Sequence, residues 1–122
     1  MKLVYIFFLC MCFQVQAQDW VQVTSLPNVF NETHHSFAFS FDDMGYIVSG
    51  NSDSGVRDNF YQYNPATNSW TELTPFPGGA RGYAIGDIWN GKAYFGFGDD
   101  GTSRLNDLWV FDPSNMSWTE LA

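Results

Sequence analysis

The chain spells Ser-Trp-Thr-Glu-Leu twice, at residues 69–73 and again at residues 117–121. Moving the sequence along by the same 48 residues aligns further identical residues at aromatic, glycine and proline positions: Tyr46 with Tyr94, Gly50 with Gly98, and Pro65 with Pro113. Trp70 and Trp118 are the tryptophans of the two copies, and Trp20 begins a third, partial copy at residues 20–27. Because a period of about 20–50 residues is typical of solenoids and propellers, the sequence predicts a repeat architecture.

Each repeat contains four short segments rich in aromatic and β-favouring residues, which predict strands. They are residues 35–41, 45–49, 60–63 and 70–73 in the first repeat, and 83–89, 93–97, 108–111 and 118–121 in the second. Turn-forming residues separate these segments, including the Asn90-Gly91 pair that favours a tight hairpin. No stretch shows the apolar period of a helix. We therefore predict an all-β fold built from four-stranded antiparallel blades.

The order of landmarks within each repeat resembles the Kelch repeat, in particular its secreted bacterial version. A tyrosine-containing strand that ends in glycine is followed by a variable loop, an aromatic strand that ends in Asn-Pro or Asp-Pro, and then Trp-Thr-Glu-Leu. This resemblance covers residues 18–122 and implies a Kelch-type β-propeller of the galactose-oxidase-like superfamily. Two features depart from the pattern. The usual Gly-Gly doublet is reduced to Ser49-Gly50 and Phe97-Gly98, and the expected arginine, Arg81, is Thr33 in the first repeat.

The repeats divide the chain into four parts. We predict a signal peptide at residues 1–17, the leading outer strand of a ring-closing blade at 18–27, the first Kelch blade at 28–73 and the second at 74–122. A closed propeller has about four to eight blades, so two blades and one strand make a partial propeller. We expect the remaining blades to come from a longer chain, which we favour, or from other copies of this chain.

The N-terminus has the features of a secretory signal peptide. Lys2 precedes an apolar run at residues 3–13, and Val15 and Ala17 provide the small residues of a cleavage site after Ala17. A secreted, periplasmic or cell-surface location follows, with no membrane span after cleavage. Cleavage removes Cys10 and Cys12, so the mature chain has no disulfide and no thiolate metal site. A lipoprotein is a weaker alternative, because neither cysteine follows a small residue.

The charge of the chain restricts its partners. The formal net charge is −8 and becomes −9 when Lys2 leaves with the signal peptide. Such a surface disfavours nucleic acids and anionic membranes. We therefore expect a protein or a carbohydrate at the cell surface as the partner.

Loops between the second and third strands of a blade, and links from one blade to the next, lie on one side of a propeller, which we call the rim. Here the rim contains residues 28–33, 51–59, 74–81 and 99–106. The candidate ligand-binding residues at the rim are Asp53, Arg57, Arg81, Asp99, Asp100, Arg104, His34 and His35, with Asp58 beside them. Carboxylates and guanidinium groups can make bidentate hydrogen bonds to a glycan or peptide. The alternative is that Asp, Asn, Ser and Gly occur there because they favour turns.

Residues that recur at the repeat period are expected to pack blade against blade, since they do what every blade requires. This set consists of Trp20, Trp70, Trp118, Tyr46, Tyr94, Gly50, Gly98, Pro65 and Pro113. Ligand binding is then expected where the repeats differ, at residues 53–57 against 101–104 and at His34-His35 against Gly82-Tyr83.

The sequence predicts no catalytic residue, no metal and no cofactor. Neighbouring residues of a strand point to opposite faces, so His34 and His35 cannot bind one ion unless the chain bends. The copper chemistry of galactose oxidase needs a cysteine, which the mature chain lacks, and no serine lies in a nucleophile motif. We interpret the chain as a non-catalytic binding module. The alternative is a part of a larger propeller enzyme acting on carbohydrates (an oxidase, a sialidase-like hydrolase or a sugar-acid epimerase) whose active site lies in other blades.

Overall fold

The computed structural model describes residues 19–27 and 33–121, and the regular structure in these residues is entirely β. Eight strands form two four-stranded antiparallel sheets in simple sequential order. They are β1 (Phe37–Phe41), β2 (Met44–Ser52), β3 (Gly55–Asn64), β4 (Ser69–Leu73), β5 (Ile85–Trp89), β6 (Lys92–Gly96), β7 (Leu108–Asp112) and β8 (Ser117–Glu120). This confirms the all-β, two-blade partial propeller. The predicted signal peptide and rim residues 28–32 lie outside the described residues. In the described ranges, no helix is long and apolar enough to cross a bilayer.

The first blade differs from the prediction at the rim, where residues 51–59 were expected to form a loop. β2 continues to Ser52 and β3 starts at Gly55, so only Asp53 and Ser54 form the turn. The pairing continues through a register shift between Val48 and Gly50, which keeps the two strands together. Gly55 adopts φ 115°, a conformation that side chains disfavour, and so permits the tight turn.

Left-handed backbone positions repeat along the chain with the same 48-residue spacing. The non-glycine pairs are His35 with Tyr83, Asp42 with Asn90, Ser49 with Phe97, and Asn68 with Met116. Residues as different as Ser49 and Phe97 share φ values of 57° and 58°. The turn geometry is therefore a property of the repeat, imposed by the strands on either side.

The core lies between the two blades and consists mainly of aromatic rings. Phe60 of β3 contacts Phe111 of β7 at 5.0 Å and Trp118 of β8 at 5.5 Å between ring centroids. Tyr46 of β2 lies 5.7 Å from the same Phe111. Each aromatic pair contributes about 0.5–1.5 kcal/mol beyond the burial of its area. Alternate residues of β1, β2 and β3 thus face the second blade.

The three tryptophans of the repeat differ in how much of each side chain is in contact with the rest of the protein. Trp118 lies between the blades, 4.9 Å from Phe76, and Trp70 donates its indole N–H to the carbonyl of Thr24 at 3.1 Å. Trp20, by contrast, is fully exposed, and residues 19–27 form no strand in this structure. Because the leading strand is expected to pair with three strands of a further blade, its pairing and the packing role of Trp20 stay predictions.

Candidate functional site

A backbone bridge fastens each blade at the rim. In the first blade, the N–H of His34 donates to the carbonyl of Asn51 at 2.9 Å, and the N–H of Asn51 donates back at 2.8 Å. Gly82 and Asp99 form the same reciprocal pair of backbone hydrogen bonds in the second blade, with N···O distances of 2.9 and 3.0 Å. Each bridge joins residues just before a blade's first strand to the end of β2 in the first blade and to the loop that follows β6 in the second. It therefore fixes the positions of His35 and Tyr83, which directly follow His34 and Gly82.

Arg81 is not a rim ligand, because the structure buries it completely. Its guanidinium group donates two hydrogen bonds to Asp107, at 2.6 and 2.8 Å. It also donates to three backbone carbonyls, those of Gly78 at 2.5 Å, Phe97 at 3.2 Å and Gly79 at 3.4 Å. The same group lies over the ring of Phe76, 4.7 Å from its centroid. The hydrogen bonds from Arg81 hold the pKa of the Asp107 carboxyl below its usual range, against the opposing effect of burial. Arg81 thus stabilises the link into the second blade.

Asp107 is a structural residue that the sequence interpretation missed. One repeat earlier, Asn59 replaces Asp107 and Thr33 replaces Arg81, so the acid and the base are exchanged together. This paired exchange is the signal in the sequence that connects the two residues.

Two of the predicted rim acids are committed to their own loop. Asp99 accepts a hydrogen bond from the N–H of Gly101 at 2.7 Å. Asp100 accepts from the hydroxyl and N–H of Thr102 and from the N–H of Ser103, and these bonds lower its pKa. Their geometry matches the turn-forming alternative.

The other charged rim residues are more accessible. Arg57 donates to the hydroxyl of Ser54 at 2.9 Å, across the tip of the β2–β3 hairpin. Asp53 is exposed in that two-residue turn, Asp58 is partly buried within β3, and Arg104 is exposed on the loop of the second blade. The rim therefore offers Asp53 and Arg104 to solvent most directly.

His34, His35 and Tyr83 come together at the junction of the two blades, and we call them the His–Tyr cluster. The chain bends at His35, where φ is 56°, so the two histidines do not point to opposite faces as expected for a strand. Their Nδ1 atoms lie within hydrogen-bond distance. The His35 ring lies 4.2 Å from the Tyr83 ring between centroids, and more than half of Tyr83 is exposed.

Two depressions adjoin these features. A cavity of about 590 Å³ beside the His–Tyr cluster is lined by Tyr83, Phe97, Gly98, Asp99, Arg104 and Leu105. A smaller one, of about 280 Å³, lies between the blades where β4 and β8 approach, and Phe60, Leu73, Pro75 and Trp118 are among its lining residues. Within residues 19–27 and 33–121, no three metal-binding side chains of the His, Cys, Asp or Glu type form a group.

Known proteins resemble this chain in both sequence and fold. Kelch-like protein 36 of Rattus norvegicus is 31% identical over 107 residues, which cover 84% of this chain and 16% of that protein. N-acetylneuraminate epimerase of Pasteurella multocida (strain Pm70) is 33% identical over 86 residues, which cover 66% of this chain and 22% of the epimerase. The solved structure of YjhT superposes with a TM-score of 0.74 at 19% identity, covering 89% of this chain and 42% of YjhT. No protein-family model matches the chain.

Four-stranded blades that repeat every 48 residues and pack through aromatic faces define a β-propeller protein. Together with the similarities to Kelch-like proteins, they show that the chain belongs to the Kelch-repeat propeller family. It spans about a fifth or less of the length of Kelch-like protein 36 and similar curated relatives.

Proposed function

We propose that this chain supplies two neighbouring blades of an exported Kelch propeller, and that the rim of these blades binds a protein partner at the cell surface without catalysis. The observation that carries this proposal is the His–Tyr cluster, which presents exposed rings where the two blades meet. It lies at one of the places where the repeats differ in sequence, whereas shared positions serve the packing of the blades.

The cluster has the properties of a contact site for a polypeptide. Tyrosine supplies a large, rigid contact area, and tyrosine and arginine are enriched among the residues that dominate binding energy. The backbone bridges at His34 and Gly82 hold the rings in place, so little freedom is lost when a partner binds. Arg104, on the same side and exposed, adds a guanidinium group that can pair with a carboxylate.

Binding can be tested with the purified chain from residue 18 onward, probed on an array of peptides from surface proteins of the producing organism and on a glycan array. Tyr83→Ala is expected to weaken peptide binding at least about fivefold, because one anchoring contact typically contributes more than about 1 kcal/mol. Trp20→Ala is the matched control, since Trp20 is an exposed aromatic residue outside the rim. Equal binding by both variants, or binding to glycans alone, would contradict the proposal.

Export is tested separately. The full chain should be secreted by a bacterial host, and the mass of the secreted product should place its first residue at Gln18. A product that retains residues 1–17 inside the cell would overturn this part of the proposal.

The similarity to N-acetylneuraminate epimerase supports a second candidate, a part of an enzyme that acts on a sugar acid. Incubation of the chain with N-acetylneuraminate, followed by NMR of its stereocentres, distinguishes this candidate. Turnover that depends on rim residues would favour the enzyme over the binding module.

A further inference from the structure

We propose that the cavity of about 280 Å³ between the two blades binds an uncharged, extended peptide segment of a partner protein. We call this cavity the outer groove, and its walls include Thr74, Pro75, Met116 and Trp118. One wall belongs to the link that follows β4 and the other to the β7–β8 turn and β8, so the chain contains both blades that form the groove. The outer groove shares no lining residue with the His–Tyr cluster, so this site goes beyond the proposed function.

The indole N–H of Trp118 is a buried donor without an acceptor. Its Nε1 atom is shielded from solvent and makes no hydrogen bond to the residues that the structure describes. Buried polar groups in native proteins almost always have a partner. The indole ring packs on Phe111 at 5.0 Å and on Phe76 at 4.9 Å between centroids, so its position is fixed. A ligand that brings an acceptor to this wall therefore meets a donor already in place.

The equivalent tryptophan one repeat earlier shows which group satisfies this donor. Trp70 donates its indole N–H to the carbonyl of Thr24 at 3.1 Å, and the N–H of Thr24 donates to the side chain of Asn68 at 2.8 Å. These two hydrogen bonds close the first junction directly. The acceptor for the tryptophan is thus a backbone carbonyl, in a segment, residues 19–27, that forms no strand.

A proline keeps the equivalent backbone carbonyl of the second junction away from its tryptophan. In the partial copy of the repeat, Thr24 is equivalent to Thr74 and Ser25 to Pro75. A residue before proline is restricted to extended conformations, so the Thr74 carbonyl cannot turn freely towards Trp118. The direct hydrogen bond of the first junction is therefore missing from the second.

The second difference removes the acceptor for the backbone N–H. Met116 stands where the first repeat has Asn68, and its side chain cannot replace the amide oxygen that binds Thr24. Within residues 19–27 and 33–121, Thr74 has no backbone hydrogen-bond partner. The outer groove therefore exposes a peptide unit on one wall opposite an unpaired indole on the other.

The groups left open are those that a peptide unit satisfies. The N–H and C=O of a trans peptide point in opposite directions, so one unit between the walls can accept from Trp118 and donate to the carbonyl of Thr74. Phe60 and Leu73 are among the apolar residues that would contact its side chain. None of the described residues that line the groove is charged, so the segment must be uncharged where it enters. The volume is just below the roughly 300–1,000 Å³ of small-ligand pockets and has room for about one residue with its flanking peptide units.

The experiment titrates the full chain with N-acetyl-leucine N′-methylamide, a neutral residue flanked by two peptide units, and follows the indole N–H signals by NMR. The Trp118 signal, assigned with Trp118→Phe, is expected to move and saturate. The Trp70 signal is the internal control and should stay in place, because Trp70 is already bonded to Thr24. An analogue methylated at both amide nitrogens should bind about two- to tenfold more weakly, because the hydrogen bond to Thr74 is lost.

Met116→Asn combined with Pro75→Ser gives the second junction the residues of the first. These substitutions should close the outer groove with the two hydrogen bonds that Thr24 makes, and weaken binding of the probe at least about tenfold. Thermal unfolding shows whether this variant is folded. If it is not, loss of the probe-induced shift of the Thr74 backbone signal in Trp118→Phe makes the same test.

Three results would overturn the proposal. The Trp118 signal does not move with the probe, which leaves bound water as the acceptor; or the Trp70 and Trp118 signals move equally; or N-acetylglucosamine binds more tightly than the peptide probe, which assigns the site to the acetamido group of a sugar. None of these readouts involves the rim, so their failure is distinguishable from failure of the proposed function.

Discussion

Asp107→Ala should destabilise this protein more than the loss of any other single charge. The substitution leaves the guanidinium group of Arg81 buried without its carboxylate, since two of the hydrogen bonds of Arg81 go to Asp107. It also removes the acceptor of the Trp109 indole N–H, which lies 2.7 Å from the Asp107 carboxylate. The carbonyls of Gly78, Gly79 and Phe97 remain partners of Arg81, but they carry no charge to balance the cation.

The magnitude follows from the burial of the pair. Removing one partner of a buried ion pair costs about 3–5 kcal/mol. The Asp107 side chain is 20% exposed, so water compensates part of the loss and the lower value, about 3 kcal/mol, is expected. This is a large share of the roughly 5–15 kcal/mol that stabilises a typical domain. At about 4–8 °C per kcal/mol for a small domain, the melting temperature should fall by more than about 10 °C.

The loss of the Asp107 carboxylate should also change how the stability of the protein depends on pH. The hydrogen bonds from Arg81 lower the pKa of Asp107 in the folded protein below the usual value of 3.8. A lowered carboxyl pKa stabilises the fold at pH values above 3.8, and this stabilisation is lost as the pH falls through the folded-state pKa. The Asp107→Ala variant lacks this contribution, so its stability should decline less steeply with pH below about 4.

Urea denaturation followed by tryptophan fluorescence measures both effects. Lys92→Ala is the matched control, because it removes an ion pair of similar length, 2.7 Å to Asp112, whose lysine is 43% exposed, and leaves the hydrogen bonds from Ser114 to Asp112 in place. Exposed pairs contribute little to stability, so this variant should unfold at nearly the wild-type urea concentration. Two results would refute the reasoning. One is an equal decrease of the urea midpoint in both variants, and the other is an Asp107→Ala variant whose stability falls as steeply below about pH 4 as that of the wild type.

Two further predictions concern the blade contact and the exposed ion pair. Gly86→Ala should lower the free energy of unfolding by about 1–3 kcal/mol, because an added Cβ would lie 2.6 Å from the Phe37 ring; Gly45→Ala, whose nearest neighbour would be 3.6 Å away, should be tolerated. A smaller effect of Gly86→Ala than of Gly45→Ala in thermal unfolding would contradict the packing described. Hydrogen bonds from Lys92, which has the largest effect, and from Ser114 lower the pKa of Asp112 to about 2. NMR titration should show this value, and Lys92→Met should raise it towards 3.8; an unchanged pKa would remove Lys92 as its cause.

Much of the fold can be predicted because its signals are local. Strand segments alternate with turn residues, so six of the eight strands begin and end within two residues of their predicted bounds, whereas β2 ends three residues late and β3 begins five residues early. The early start of β3 could not be predicted, because residues 51–59 contain several turn-favouring residues and a single hairpin uses only Asp53 and Ser54. The other residues of this segment become strand because β2 and β3 pair with each other up to the turn.

The candidate site was predicted less well, because its members are distant in sequence. Arg81 is a charged residue in a segment predicted to lie on the rim, but the fold turns its side chain inward towards Asp107, 26 residues further along the chain. As neighbours in a predicted strand, His34 and His35 were expected to point to opposite faces, but the left-handed φ of His35 brings their rings together. Neither outcome follows from the residue types alone.

The sequence by itself determined the repeat, the strand content and the positions of the turns. Each depends on residues close together in the chain, and the 48-residue spacing repeats them. The tertiary structure alone decided that Tyr83 meets His35, that Arg81 is buried on Asp107 and that Trp20 is left exposed. These outcomes depend on the register between strands and on which blade face has a neighbour, and the free energy of such contacts exists only once distant segments have packed together.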